Sequence, residues 1–300
     1  MTSFLSCDWG TTNFRLRRVE GGRVLNEVRS DEGTAKLAAA GGDRAAAFRG
    51  VLEAALSKLG GRGALPIVIS GMASSSIGWC ELPYARLPFR LDGRDAMWKE
   101  IEEGVYLLSG LRSDVDILRG EETEAIGAAA LPGVLESEAV LVKPGTHSKH
   151  LQIRDGKVTG FQSFMTGEVY DVMSRHSVLR HSVDPAAEPD RAAFLEGVRA
   201  AGRPLTSGFF RVRTRQVLEG SASGTNASYL SGLLVGVEVH ALREAGGLPI
   251  VLAGTGRLAE MYAWAFGAVG LEERVAVLPA QDVERLSVLG QAAVLSSIAR

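Results

Sequence analysis

Three hundred residues, 46% of them apolar, can bury a large core and suffice for two domains. The formal net charge of −2 excludes a strongly basic nucleic-acid-binding surface, and no apolar run approaches the ~20 residues that span a bilayer. Two cysteines, Cys7 and Cys80, make no disulfide framework, and the N-terminal apolar run is too short and lacks the basic start of a signal peptide, so a cytoplasmic protein is expected.

Phe4-Leu5-Ser6-Cys7 reads as an apolar strand. Asp8-Trp9-Gly10-Thr11-Thr12-Asn13 is a polar turn, and Phe14 to Val19 alternates apolar and polar at the period of a half-buried strand. Glu20-Gly21-Gly22 leads to a third strand, Arg23 to Arg29, which completes an antiparallel meander. A helix in two pieces ends at Leu59. Ile67-Val68-Ile69 is a short buried strand, Ala73 to Trp79 a loop of small residues, and Val105 to Leu108 another strand.

The pattern then restarts. Ala139-Val140-Leu141-Val142 is a strand that ends in Lys143-Pro144-Gly145-Thr146-His147-Ser148-Lys149. His150 to Ile153 and Lys157 to Phe164 form a hairpin about Asp155-Gly156. Helices are expected over Glu168–Ser174, Asp190–Ala201 and Ser228–Leu242. The last carries Leu230, Leu233, Leu234, Val237 and Ala241 on one face, with Gly232 and Gly236 open to a close neighbour. Ile250 to Ala253 is a strand that Gly254-Thr255-Gly256 turns into a helix, Arg257–Phe266. Arg274 to Leu278 and Val283 to Ile298 supply the last strand and helix.

This order mixes antiparallel hairpins with parallel crossovers, an α/β plan. It reads as two copies of one unit, each opening with a strand, a Gly-Thr turn and another strand. The expectation is two domains, 1–115 and 116–300, whose mixed sheets face an interdomain cleft, with the last helix, 283–300, packing back on the first. Between them, Leu118 to Gly127 reads as a helix start with acids in its first turn.

The first turn holds one carboxylate, one glycine, two hydroxyls and one amide. Gly10 lets a ligand approach the backbone, and Thr11, Thr12 and Asn13 offer donors. Asp8 can hold a hydrated Mg²⁺ that takes its other ligands from water and phosphate. An ordinary hairpin turn is the alternative.

The duplicated plan resembles the actin/Hsp70/hexokinase superfamily, with two ribonuclease H-like domains. More narrowly, the chain resembles the 2-dehydro-3-deoxygalactonokinase family. The stretches that carry the likeness are Asp8 to Asn13, Gly71-Met72 through Gly78-Trp79, Arg119-Gly120-Glu121-Glu122-Thr123, Pro144 to Lys149, Met165-Thr166-Gly167-Glu168, and Ala253-Gly254-Thr255. Ser148-Lys149-His150 departs from the Cys-Lys-Trp expected there, and Gly256 stands where the family can carry Ser.

The resemblance implies transfer of the γ-phosphoryl of ATP to the 6-hydroxyl of 2-dehydro-3-deoxy-D-galactonate, with Mg²⁺ on Asp8. Gly10, Thr11, Thr12 and Asn13 would meet the phosphates, as would Gly145, Thr146 and Lys149, although Lys149 could instead be a solvated strand residue. Gly254 and Thr255 would lie against adenosine. Glu121 and Glu122 are candidates for the proton acceptor, Glu121 first; the alternative is two first-turn acids on a helix dipole. For the sugar acid the candidates are Glu32, Gly33, Gly71, Met72, Ser76, Trp79, Arg119, Thr166 and Glu168. Arg86 and His147 are further carboxylate partners. Trp79 would stack on the carbon chain, against the safer reading of a buried aromatic, and Thr166 could instead be a helix cap. Other readings are an exopolyphosphatase-like phosphohydrolase, a kinase for a related 2-keto-3-deoxy sugar acid, and a nucleotide switch without a sugar substrate. No nucleic-acid or membrane partner is expected. The oligomeric state stays open, with a homodimer one option.

Overall fold

A computed structural model describes residues 3–135, 138–244 and 246–298. By packing, the chain divides into two compact units. Unit 1 comprises residues 1–138, 151–161 and 284–300; unit 2 comprises 139–150 and 162–283.

Unit 1 opens with the meander β1 (Phe4–Trp9), β2 (Phe14–Glu20) and β3 (Arg23–Ser30). Helices α1 (Thr34–Ala40) and α2 (Arg44–Lys58) follow, then strand β4 (Ile67–Gly71). The next stretch holds five short strands, of which only the fourth was expected: β5 (Ala85–Arg86), β6 (Phe89–Arg90), β7 (Trp98–Glu102), β8 (Val105–Leu108) and β9 (Leu111–Arg112). Two- and five-residue pieces are too short to show a period. Strand β10 (Ile117–Leu118) and helix α3 (Glu121–Ala129) complete this part of the chain. The main sheet runs β3-β2-β1-β4-β8-β7. Strands β1, β4 and β8 are parallel neighbours, and the flanking pairs are antiparallel. Trp9, Phe14, Phe48, Ile67, Ile69 and Leu107 pack in one core between sheet and helices.

Unit 2 is built on parallel strands β11 (Ala139–Lys143), β14 (Ile250–Leu252) and β15 (Val275–Val277). Strand β12 (Ser148–Arg154) and strand β13 (Lys157–Phe164), which start and end in unit 2 while residues 151–161 between count with unit 1, form the expected hairpin, with Asp155 and Gly156 both at positive φ, as a tight two-residue hairpin turn demands. Strand β12 begins at Ser148, two residues earlier than expected, because Ser148, Lys149 and His150 are all buried. Helices α4 (Thr166–His176), α5 (Arg191–Ala200), α6 (Leu205–Glu219), α7 (Ser223–Glu244) and α8 (Gly256–Ala268) surround the sheet.

Helix α6 was not expected. It leaves Phe210, Val217 and Leu218 exposed, which blurs its apolar period. Helix α7 is longer than expected and has no single apolar face. Leu230 and Leu234 enter one core, Val235, Val239 and Leu242 another, while Val237 and Ala241 are half-buried. The expected final helix breaks after α9 (Ala280–Val283) and resumes as α10 (Leu286–Ile298), which belongs to unit 1. Residues 299–300 of that expected helix lie outside the described residues.

Glycines set the closest helix contacts. A Cβ on Gly232 of α7 would stand 1.9 Å from the Phe194 carbonyl oxygen of α5, and one on Gly290 of α10 would stand 1.8 Å from that of Thr123 in α3. Gly232→Ala should therefore destabilise the protein by about 1–3 kcal/mol. Gly267→Ala in α8, where a Cβ meets nothing within 4 Å, should be neutral or stabilising by up to about 1 kcal/mol. Denaturant unfolding of both variants checks this; equal midpoints would contradict the packing.

Candidate active site

In unit 1, Asp8 lies near the end of β1, opposite Arg15 on β2 and Ser70 on β4. The turn after it is closed by the Gly10 amide donating to the Asn13 carbonyl at 2.8 Å. Thr34 and Ala35 amides of α1 donate to the Gly10 and Thr11 carbonyls, both at 3.0 Å, and the Trp9 indole donates to the Glu32 carbonyl at 2.9 Å. These bonds hold the turn's backbone while Thr11, Thr12 and Asn13 stay exposed. A Cβ on Gly33 would strike the Thr11 carbonyl oxygen at 2.3 Å, so Gly33 is required by packing. On Gly10 the nearest atom would be 3.4 Å away, an ordinary contact. The chain's own packing does not demand glycine at position 10; a ligand lying against the backbone would.

The end of β4 stands beside this turn. Gly71 has φ +91°, and a Cβ there would meet the Trp9 carbonyl oxygen at 2.7 Å. Gly120, at φ +106°, faces Gly71 so closely that its Cβ would be 3.4 Å from the Gly71 Cα. Helix α3 therefore starts where β1 and β4 end, and its first residues are Glu121 and Glu122. The Glu121 carboxylate accepts the Arg119 amide at 3.0 Å. The Glu122 carboxylate accepts the Gly120 amide and the Thr123 hydroxyl, both at 2.7 Å. Glu121 is partly open, whereas Glu122 is 3% exposed.

The other unit 1 candidates have varied surroundings. The Arg119 guanidinium donates to the Ser74 hydroxyl and lies 4.2 Å over the Tyr84 ring, with its Nε buried and without a partner. Lys36 donates to the Glu32 carboxylate at 2.6 Å. Met72 is half-buried in a short turn after β4, and the exposed Ser76 gives its carbonyl to Arg44. Trp79 packs on Trp9 and Phe48 at ring separations of 6.1 and 6.0 Å, as a core aromatic does. Arg86 is exposed on β5.

In unit 2, Gly145 and Thr146 lie in the turn between β11 and β12, Thr146 exposed. The Thr146 carbonyl accepts the Gly167 amide at 3.0 Å and the Glu168 amide at 3.1 Å. His147 and Glu168 pair through their side chains. Lys149 is 5% exposed and its ammonium donates to the His147 carbonyl at 2.9 Å, so it is not a solvated strand residue. Thr166 does not cap α4; its hydroxyl donates to the Glu238 carboxylate. Gly254 adjoins the turn: a Cβ on it would stand 3.3 Å from the Pro144 ring, and Thr255 is exposed before α8. Glu238 and Tyr262, buried behind the turn, and Gln291, which ties the Cys7 carbonyl to the Ser70 hydroxyl at 2.8 Å each, are absent from the sequence-based set. The signal for Glu238 was a lone acid inside the apolar run Val235 to Val239.

Among the described residues no group of three His, Cys, Asp or Glu side chains is gathered for a metal ion. A single carboxylate such as Asp8 fits a hydrated Mg²⁺ that draws most ligands from water and phosphate.

A family model described as 2-keto-3-deoxy-galactonokinase matches residues 8–288. The chain belongs to that family. It is 37% identical over 289 residues to a Rhizobium meliloti (strain 1021) protein named Probable 2-dehydro-3-deoxygalactonokinase DgoK1, covering 90% of this chain and 91% of that one. It is 30% identical over 277 residues to the 2-dehydro-3-deoxygalactonokinase of Escherichia coli (strain K12), with the same coverage. A crystal structure of a Sinorhizobium meliloti protein assigned as a 2-dehydro-3-deoxygalactonokinase superposes with a TM-score of 0.86 at 34% identity, covering 98% of this chain and 99% of that one. The fold alone extends to an activator of a 2-hydroxyisocaproyl-CoA dehydratase from Clostridium difficile, at a TM-score of 0.50 and 13% identity, covering 99% and 96%. As a member of the 2-keto-3-deoxy-galactonokinase family the chain is a carbohydrate kinase with the actin/hexokinase-type α/β fold, and a kinase takes ATP and an acceptor.

Within this kinase Glu122 has the most consequential titration. Burial pushes its carboxyl up to about 7, aided by the charge of Glu121 and opposed by the bonds from Thr123 and Gly120. The folded state thus binds this proton more tightly than the unfolded chain. The stability it contributes is complete below the unfolded value of 4.5 and is lost as pH rises to about 7. Glu122→Gln cannot follow that titration. Its unfolding free energy relative to wild type should rise by about 3 kcal/mol between those limits. Denaturant titrations across pH 4.5 to 8 measure the difference, and a constant difference would contradict a proton held by burial.

Proposed function

We propose that this kinase transfers the γ-phosphoryl of ATP to the 6-hydroxyl of 2-dehydro-3-deoxy-D-galactonate. The observation that carries the assignment of roles is the contact between Gly71 and Gly120, which sets the turn after Asp8 beside the first turn of α3. Phosphoryl transfer needs charge neutralisation, an aligned hydroxyl and a proton acceptor, with little covalent work by the protein. Asp8 would hold Mg²⁺, which would supply neutralisation of phosphate charge. Gly10, Thr11, Thr12 and Asn13 meet the β- and γ-phosphates; Gly145 and Thr146 hold phosphate from unit 2; Gly254 and Thr255 lie against the adenosine. Lys149 supports the second turn through the His147 carbonyl. Arg119 is the cation we assign to the substrate carboxylate. The chemistry is that of the cytoplasm, where the free thiols of Cys7 and Cys80 stay reduced.

Glu121 is assigned as the proton acceptor, because it sits at the helix start and is partly open. Glu122 is the second reading, favoured by its value of about 7, near the optimum for a general base at neutral pH.

An ADP-release assay tests the function. Turnover should depend on 2-dehydro-3-deoxy-D-galactonate and fall with its gluconate-derived epimer; ATP hydrolysis indifferent to both acids would overturn the reading. Asp8→Asn should lower kcat by on the order of 10²–10³-fold with unchanged unfolding behaviour. Full activity there refutes the Mg²⁺ role.

Glu121→Gln should lower kcat by on the order of 10²–10⁴-fold with little change in KM. An acceptor must be deprotonated, so activity that depends on Glu122 would rise with pH to about 7 and then level. If Glu122→Gln removes that limb while Glu121→Gln leaves kcat intact, the base is Glu122.

A further inference from the structure

The buried carboxylate of Glu238 has no part in the roles above, yet it is connected to both sides of the second phosphate turn. Glu238 lies on α7 and is 0% exposed. It accepts the Tyr262 hydroxyl at 2.7 Å and the Thr166 hydroxyl, and it meets the His150 Nε2 at 3.0 Å. Tyr262 spends its proton on Glu238, so in its 3.0 Å contact with Ser148 it accepts, and the Ser148 hydroxyl donates. Ser148 is then left to accept the Gly145 amide, 3.4 Å away. The result is a one-way chain of donors from Gly145 through Ser148 and Tyr262 to the carboxylate. The Glu238 oxygen that takes the Tyr262 hydroxyl, Oε1, also takes that of Thr166, the first residue of α4. The next two amides of that helix, Gly167 and Glu168, donate to the Thr146 carbonyl. Glycine at 167 makes this approach possible, since a Cβ there would strike the Thr146 Cα at 2.8 Å.

We propose that Glu238 is a positioning residue that fixes the Gly145-Thr146 turn from both ends, through Tyr262 and Ser148 on one side and Thr166 on the other. A turn that must offer its backbone to phosphate cannot be held by side chains of its own at the same face. A buried acceptor behind it supplies the rigidity and leaves the exposed face free. Burial and the neighbouring carboxylate push the Tyr262 hydroxyl well up, which keeps it a donor in this chain. His150 completes the set where the family resemblance led us to expect Trp, and it packs on Phe164 at 4.6 Å between rings.

This inference rests on the assignment of Gly145 and Thr146 to ATP phosphates. The test is calorimetric titration of ADP and of AMP, each with Mg²⁺, into wild-type protein and into Tyr262→Phe and Ser148→Ala. Wild type should bind ADP more tightly than AMP. Each variant should lose about tenfold in ADP affinity, as expected when the hydrogen-bonded chain that holds the turn to Glu238 is cut. AMP affinity should change less than twofold. The double variant should lose no more than either single one, because both cut the same chain. Unfolding curves will show whether each variant is folded, and Ser148→Ala stands if Tyr262→Phe does not. An unchanged ratio of ADP to AMP affinity, even with lowered thermal stability, means the cluster is only structural and overturns the proposal. Failure of wild-type protein to bind ADP would instead sink the phosphate assignment, and this inference with it.

Discussion

Unit 1 depends on a crowded meeting of three backbones. The Trp9 carbonyl, Gly71 and Gly120 approach to distances that leave no space for a Cβ on Gly71. Both glycines also have φ near +100°, a conformation that side chains resist. The parallel pairing of β1 and β4 brings the strand ends level, and the glycines let the next segments cross in contact. As a result a carboxylate at the end of one strand and two at the start of a helix share one end of the sheet. Functional groups at the carboxyl ends of parallel strands are the rule in open α/β sheets. Here the rule is enforced by the missing Cβ of Gly71 and by the positive φ that Gly120 adopts.

The two carboxylates of α3 diverge in role because they differ in burial. Glu121 reaches solvent and Glu122 does not. Glu122 bonds to Gly120 and Thr123, which ties the helix start to the glycine that touches Gly71. Behind them, Gln291 of α10 joins the Cys7 carbonyl to the Ser70 hydroxyl and so braces β1 against β4. In unit 2 the equivalent support is a buried hydrogen-bonded cluster on Glu238. Glu238 accepts the Tyr262 and Thr166 hydroxyls away from water and meets the His150 Nε2, and the turn at Gly145 is suspended from this cluster. Burying a carboxylate is costly without partners, and this one has partners on both oxygens.

Much of this was legible in the chain. The meander, the hairpin about Asp155-Gly156 and the helix over Asp190–Ala201 carry strong local signals in alternation, turn residues and capping. Asp190 does cap α5, accepting the Ala193 amide at 3.0 Å. The spacing of Gly232 and Gly236 foretold a close helix pair. The strands between Ala85 and Leu118 were mostly too short to carry a period, and α6 keeps apolar residues on its open face. Lys149 and Thr166 stood in matched motifs, but which atoms they would meet depended on the turn that presents the His147 carbonyl and on Glu238 lying 72 residues away.

By itself the sequence determined the duplicated α/β plan, the family and the turns that carry its motifs, because turn chemistry and hydrophobic period act over a few residues and survive in any context. Only tertiary structure decided which acid is buried and which is open, and which side chains hold the turns from behind. Those outcomes depend on desolvation and on contacts between residues far apart in the chain, and no local pattern records either.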